Sequence, residues 1–60
     1  MNEDRFKAIF LQCLEEEPTY YWAFQTAYDY CDGDFDDKRQ YADAQSWAED
    51  AYKEAGMTYA

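Results

Sequence analysis

Sixty residues confine the chain to one small domain, which buries only about 60% of the surface its unfolded form exposes, so a single thin core must suffice. Fourteen Asp and Glu against five Lys and Arg leave a formal charge of −9. That field repels nucleic acid and anionic membranes and steers the chain towards basic partners.

Histidine is absent, which removes the usual general base near neutral pH and the commonest metal ligand. Cys13 and Cys31 have no CxxC spacing, so no zinc site and no cofactor is expected. Apolar bulk comes from four Phe, two Trp and seven Tyr rather than from aliphatics, of which Ile9, Leu11 and Leu14 are the large ones. This aromatic content argues for a folded chain, and it exceeds what a three-helix core can hide. The opening MNEDRFKAIFLQC lacks an apolar signal core, and no segment approaches the roughly 18 apolar residues of a membrane span. A reducing cytoplasm is the expected setting, with both cysteines as buried thiols; a Cys13–Cys31 disulfide is the alternative.

The pattern predicts an all-α three-helix bundle spanning 1–60 as one acidic domain. A first helix over about 3–16 carries Phe6, Ile9, Phe10 and Cys13 at the spacing of one buried stripe, with Leu14 beside it. Glu3 and Asp4 sit in its first turn, where the helix dipole favours carboxylates. Leu11 points away from the stripe and suggests a second contact surface. Pro18 disfavours helix at Glu17 but suits a first turn, so a second helix is expected over about 18–31. Tyr20, Ala23, Phe24, Ala27 and Cys31 share its inner face, with Gly33 as the left-handed residue that ends it. A third helix over about 36–55 has a narrow seam of Tyr41, Ala44, Ala48, Ala51 and Ala55, closed by Gly56 and followed by a short tail, MTYA.

Between the second and third helices runs CDGDFDDK, where Asp32, Asp34 and Asp36 alternate as in a calcium loop. The sixth position is Asp37 where such a loop needs glycine, and the twelfth is Asp43 rather than glutamate. Helix capping explains the same residues: Asp34 or Asp36 caps the third helix while its neighbours feed the dipole.

At 100° per residue, Asp36, Asp43, Asp50 and Glu54 fall on one stripe well away from the alanine seam, with Trp47 on its border. A solvated face explains acids alone, whereas an indole among them points to contact with a partner. On the second helix Trp22 lies nearly opposite the inner face, with Thr26 and Asp29. The alternative is that Trp22 packs under the first helix or the tail. Tyr21 and Tyr28 are expected to flank the core and extend either surface. Aromatic anchors ringed by carboxylates select an Arg- or Lys-rich partner. Carboxylates replace phosphates and rings replace bases, as a protein occupying a nucleic-acid site requires.

Paired carboxylates also serve glycosidase chemistry, but a bundle this small offers little depth to bury an acid, so no enzymatic activity is expected. In size, charge and aromatic content the chain resembles the small acidic proteins with which phages and mobile elements block host nucleic-acid machinery, such as anti-restriction and anti-CRISPR inhibitors. The resemblance implies an inhibitor or regulator that occupies a basic surface of a larger, nucleic-acid-binding protein. The alternative is a structural interaction module, a homodimer whose surplus aromatics are buried against a second copy.

Overall fold

A computed structural model describes residues 1–56, and these form three helices: α1 (Glu3–Glu16), α2 (Tyr20–Tyr30) and α3 (Lys38–Glu54). The tail expected beyond Gly56 lies outside the described residues. α1 begins where Asn2 accepts a hydrogen bond from the Arg5 amide at 2.9 Å, with Glu3 and Asp4 in the first turn. It ends because Glu17 is extended (φ −91°, ψ 145°), as a residue before proline is pushed to be.

α2 starts at Tyr20 rather than at 18. Thr19 is its cap, the hydroxyl accepting from the Trp22 amide at 3.2 Å, and Pro18 precedes the cap instead of opening the helix. At the other end the Gly33 amide donates to the Tyr28 carbonyl (2.8 Å) and the Asp32 amide to the Asp29 carbonyl (3.0 Å). This is a Schellman closure whose left-handed residue is Asp32 (φ 59°), not Gly33. Gly33 serves a different need: a Cβ there would fall 2.6–2.7 Å from three atoms of the Tyr28 ring. Glycine is required at 33 for close approach, and Asp32 supplies the turn.

α3 starts at Lys38, two residues after the expected position. Its cap is Asp37, which accepts from the Gln40 amide at 3.0 Å, and neither Asp34 nor Asp36 has that role. The Asp34 carboxylate accepts from the Asp36 amide (2.9 Å), and its carbonyl accepts from the Asp37 amide (3.1 Å), making a turn ahead of the helix. Gly56, at φ 74°, closes α3 as expected.

α1 packs against both other helices, while the α2 and α3 backbones approach each other less closely and leave the gap to rings. Ala44, Ala48 and Ala51 are buried as the seam predicts, with Tyr41 half-buried and Ala55 exposed. Phe6 and Phe10 are fully buried and stack at 6.2 Å; Phe6 also meets Phe24 edge-on at 5.8 Å. From Phe10 the network continues through Tyr20 (5.1 Å) to Tyr52 (5.2 Å). From Phe24 it continues to Tyr41 (5.1 Å) and Tyr28, and from Tyr28 to Phe35 (4.8 Å). Such ring pairs contribute about 0.5–1.5 kcal/mol each beyond their buried area, which compensates for the scarcity of aliphatics.

Three expected placements change. Tyr28 does not flank the core; it is fully buried, because its hydroxyl finds acceptors there, the Asp34 carbonyl at 2.5 Å and Gln40 Oε1 at 3.1 Å. Gln40 Oε1 also accepts from the Asp34 amide (2.8 Å), so one buried tyrosine organises the connection and the first turn of α3. Leu11 is partly buried against the core rather than forming a second surface. The thiols are free, Cys31 buried and Cys13 half-buried. Arg5 lies over the Tyr30 ring at 5.9 Å.

Candidate functional site

Every carboxylate side chain lies on an exposed residue except that of half-buried Glu17. Ion pairs among the described residues converge on Lys7, whose ammonium meets Glu3 Oε2 at 3.1 Å and Glu54 Oε1 at 3.5 Å. The hydrogen bond to Glu3 is the chief cause raising the Lys7 pKa. Glu54, expected in the partner-facing stripe, is thus tethered across to α1. Asp36 lies in the turn before α3 and does not extend the helical repeat. The stripe on α3 itself is Asp43, Asp50 and Glu54, all exposed.

Trp47 has a folding reason to be where it is. It is half-buried and packs against the core, its ring 6.1 Å from that of Phe6. The angular period puts it on the border of the acidic stripe, about a right angle from the seam centre, and the length of the indole carries it inward. Its remaining edge, with Asp43, Asp37, Arg39, Gln40 and Met1, lines a depression of about 240 Å³. The structure therefore brings Trp47 and Asp43 together, with Asp50 one further turn pair along the same helix.

Trp22 and Asp29 belong to a different element, the outward face of α2. Trp22 is 54% exposed and Tyr21 59%, their rings edge-on at 5.1 Å. Thr26, one turn after Trp22, has its hydroxyl 3.4 Å from Glu17 Oε1, which brings that carboxylate alongside α2. Sequence reasoning missed Glu17, Tyr21 as the exposed partner of Trp22, and the exposed rings of Tyr30 and Phe35. The available signals were the extended residue before Pro18, which turns its side chain back towards α2, and an isolated aromatic inside DGDFDD.

In the acidic connection, Asp34 and Asp37 use carboxylate oxygens on backbone amides, and among the described residues no group of three or more potential ligands is placed to hold a metal ion. No charged side chain among them is buried. No helix among the described residues is long and apolar enough to cross a membrane. No protein-family model, curated protein or solved structure matches the chain.

Proposed function

We propose that the chain is a non-catalytic acidic binding protein that occupies the basic, nucleic-acid-binding surface of a larger protein and so inhibits or regulates it. The observation that carries this reading is the exposed carboxylate surface with Lys7 as the shared cation of its ion pairs among the described residues. Unpaired charge of one sign raises the free energy of a small folded chain and is relieved when a surface of opposite sign covers it. Asp43 and Asp50, about 10 Å apart on one face of α3, offer spaced negative charge to such a surface. Exposed rings at Trp22 and Tyr21 then stand for bases. An inhibitor of the anti-restriction or anti-CRISPR kind, acting in the cytoplasm of a host cell, fits this chemistry.

The same exposed Tyr21–Trp22 pair is what favours the second reading, a homodimer that buries it, although two chains of −9 repel. Competition tests the first reading. A partner captured from cells is loaded with its own nucleic acid and titrated with the protein. Mutual displacement supports occupation of the nucleic-acid surface, and a stable ternary complex refutes it.

A further inference from the structure

The outward face of α2 carries a more specific assignment, one that rests on the reading of a basic partner. Trp22, Thr26 and Asp29 fall within about 60° of one another around the helix, on the side opposite buried Ala27 and Phe24. Neither Trp22 nor Tyr21 is needed by the core: each is more than half exposed, and they pack on each other. Their edge-on contact holds the two rings as a corner before any ligand arrives. Glu17 reaches this face from the α1–α2 connection through Thr26, and Asp29 closes its other end, about 10 Å from Trp22 along the axis.

The electrostatics choose the occupant. From Ala8 to Asp37 the chain has no lysine or arginine, so this whole helix and both its flanks are anionic and aromatic. Of the cations that precede it, Arg5 is engaged over Tyr30 and Lys7 with Glu3 and Glu54, and Lys38 after it opens α3. A second copy of the chain would bring carboxylates to carboxylates. Planar cations suit these groups: a face on the indole, and N–H edges towards the carboxylates. Guanidinium does this better than ammonium, which is compact, strongly hydrated and cannot stack.

We propose that the outward face of α2 is an arginine-binding platform, on which one guanidinium of a partner lies against the Trp22 indole beside Tyr21 and pairs with Glu17, and a neighbouring one pairs with Asp29. It is separate from the α3 stripe, so the chain meets its partner through two helices of different character. α3 offers spaced charge, and α2 selects arginine.

The test follows the two indole N–H signals of the whole chain by ¹H–¹⁵N NMR, assigned with Trp22→Phe, while a blocked tetra-arginine peptide is added at low salt. The platform requires a saturable shift of Trp22 with little movement of Trp47, and weaker binding of tetra-lysine. Trp22→Ala and Asp29→Asn should each weaken tetra-arginine about three- to fivefold, as an exposed stacking or ion-pair contact does. Asp50→Asn removes the same unit of charge from α3 and should change affinity less. Shifts centred on Trp47, or equal losses from Asp29→Asn and Asp50→Asn, would overturn the platform and leave the basic-partner reading standing. Absence of tetra-arginine binding anywhere would defeat both. Sedimentation showing dimers that protect Trp22 would overturn the platform in favour of a second copy.

Discussion

Gly33→Ala tests the link between the α2–α3 connection and the core. Gly33 lies outside the left-handed region, so alanine meets no backbone strain, and by stiffening the unfolded chain it should stabilise by about 0.4–1 kcal/mol. The added methyl, however, would sit 2.6–2.7 Å from Cδ2, Cε2 and Cζ of Tyr28. Relief requires the ring to retreat by roughly 1 Å, and a fully buried ring has no space to do so without displacing Phe24, Tyr41 or Phe35. Overpacking of this kind costs about 1–3 kcal/mol. Retreat also lengthens the hydroxyl contacts to Asp34 and Gln40, at about 1 kcal/mol for a lost bond. The net is a loss of about 2–3 kcal/mol. In a 60-residue domain that lowers Tm by about 15–25 °C, a large share of a total stability of about 3–9 kcal/mol. Thermal melts by circular dichroism, with urea titration at 25 °C, give both numbers. In a Tyr28→Phe background most of the penalty should persist, because the clash is with the ring. An alanine variant that melts at or above the parent temperature would refute the argument.

Trp47→Ala should destabilise by about 2–4 kcal/mol in urea titrations, because the indole packs on Phe6, so this variant reports the fold before it reports any contact. Asp43→Lys with Asp50→Lys should leave stability near that of the parent and slow association with a basic partner, an effect that stopped-flow kinetics should find shrinking as salt is added. Burial first, then the Asp37 and Asp34 carboxylates, pushes the Tyr28 hydroxyl above its ordinary 10.0. The unfolded chain therefore loses this proton first, so the contribution is complete below pH 10.0 and fades as pH rises through the higher folded value. Tyr28→Phe should reduce the alkaline fall of Tm, leaving the parts due to the raised thiols of Cys13 and Cys31 and the raised Lys7 ammonium. Millimolar calcium should leave Tm unchanged, since Asp34 and Asp37 already serve backbone amides; a rise of several degrees abolished by Asp34→Ala would show otherwise.

α1 was legible to the residue because its limits are local: an Asn cap at one end and the residue before a proline at the other. The starts of α2 and α3 were read two residues early for a different reason. For α2, Pro18 suits a first turn but precedes the Thr19 cap; for α3 several competent caps stand close together, and the choice between Asp34, Asp36 and Asp37 is made at a distance, where Gln40 and Tyr28 hold the Asp34 backbone and leave Asp37 to cap. The same remote contact explains why Gly33 was given the left-handed role that Asp32 has. The candidate residues divide in a similar way. Angular periodicity put Trp22, Asp29, Asp43 and Asp50 outside correctly, since each lies far from the buried face. Trp47 and Tyr28 lie near the border, where side-chain length and the presence of an acceptor decide burial, and neither is a property of period.

The molecule measures 31 × 19 × 18 Å, so at 0.1 M salt the Debye length of about 10 Å is half its thickness. In dilute buffer each carboxylate feels those on the far side; at moderate ionic strength the faces become electrically independent. Salt should therefore act with opposite sign on two equilibria of one protein, firming the isolated fold while loosening its hold on a cationic surface. On the proposed reading, the dilute buffer that tightens the contact with a basic surface is also where the isolated fold is least stable.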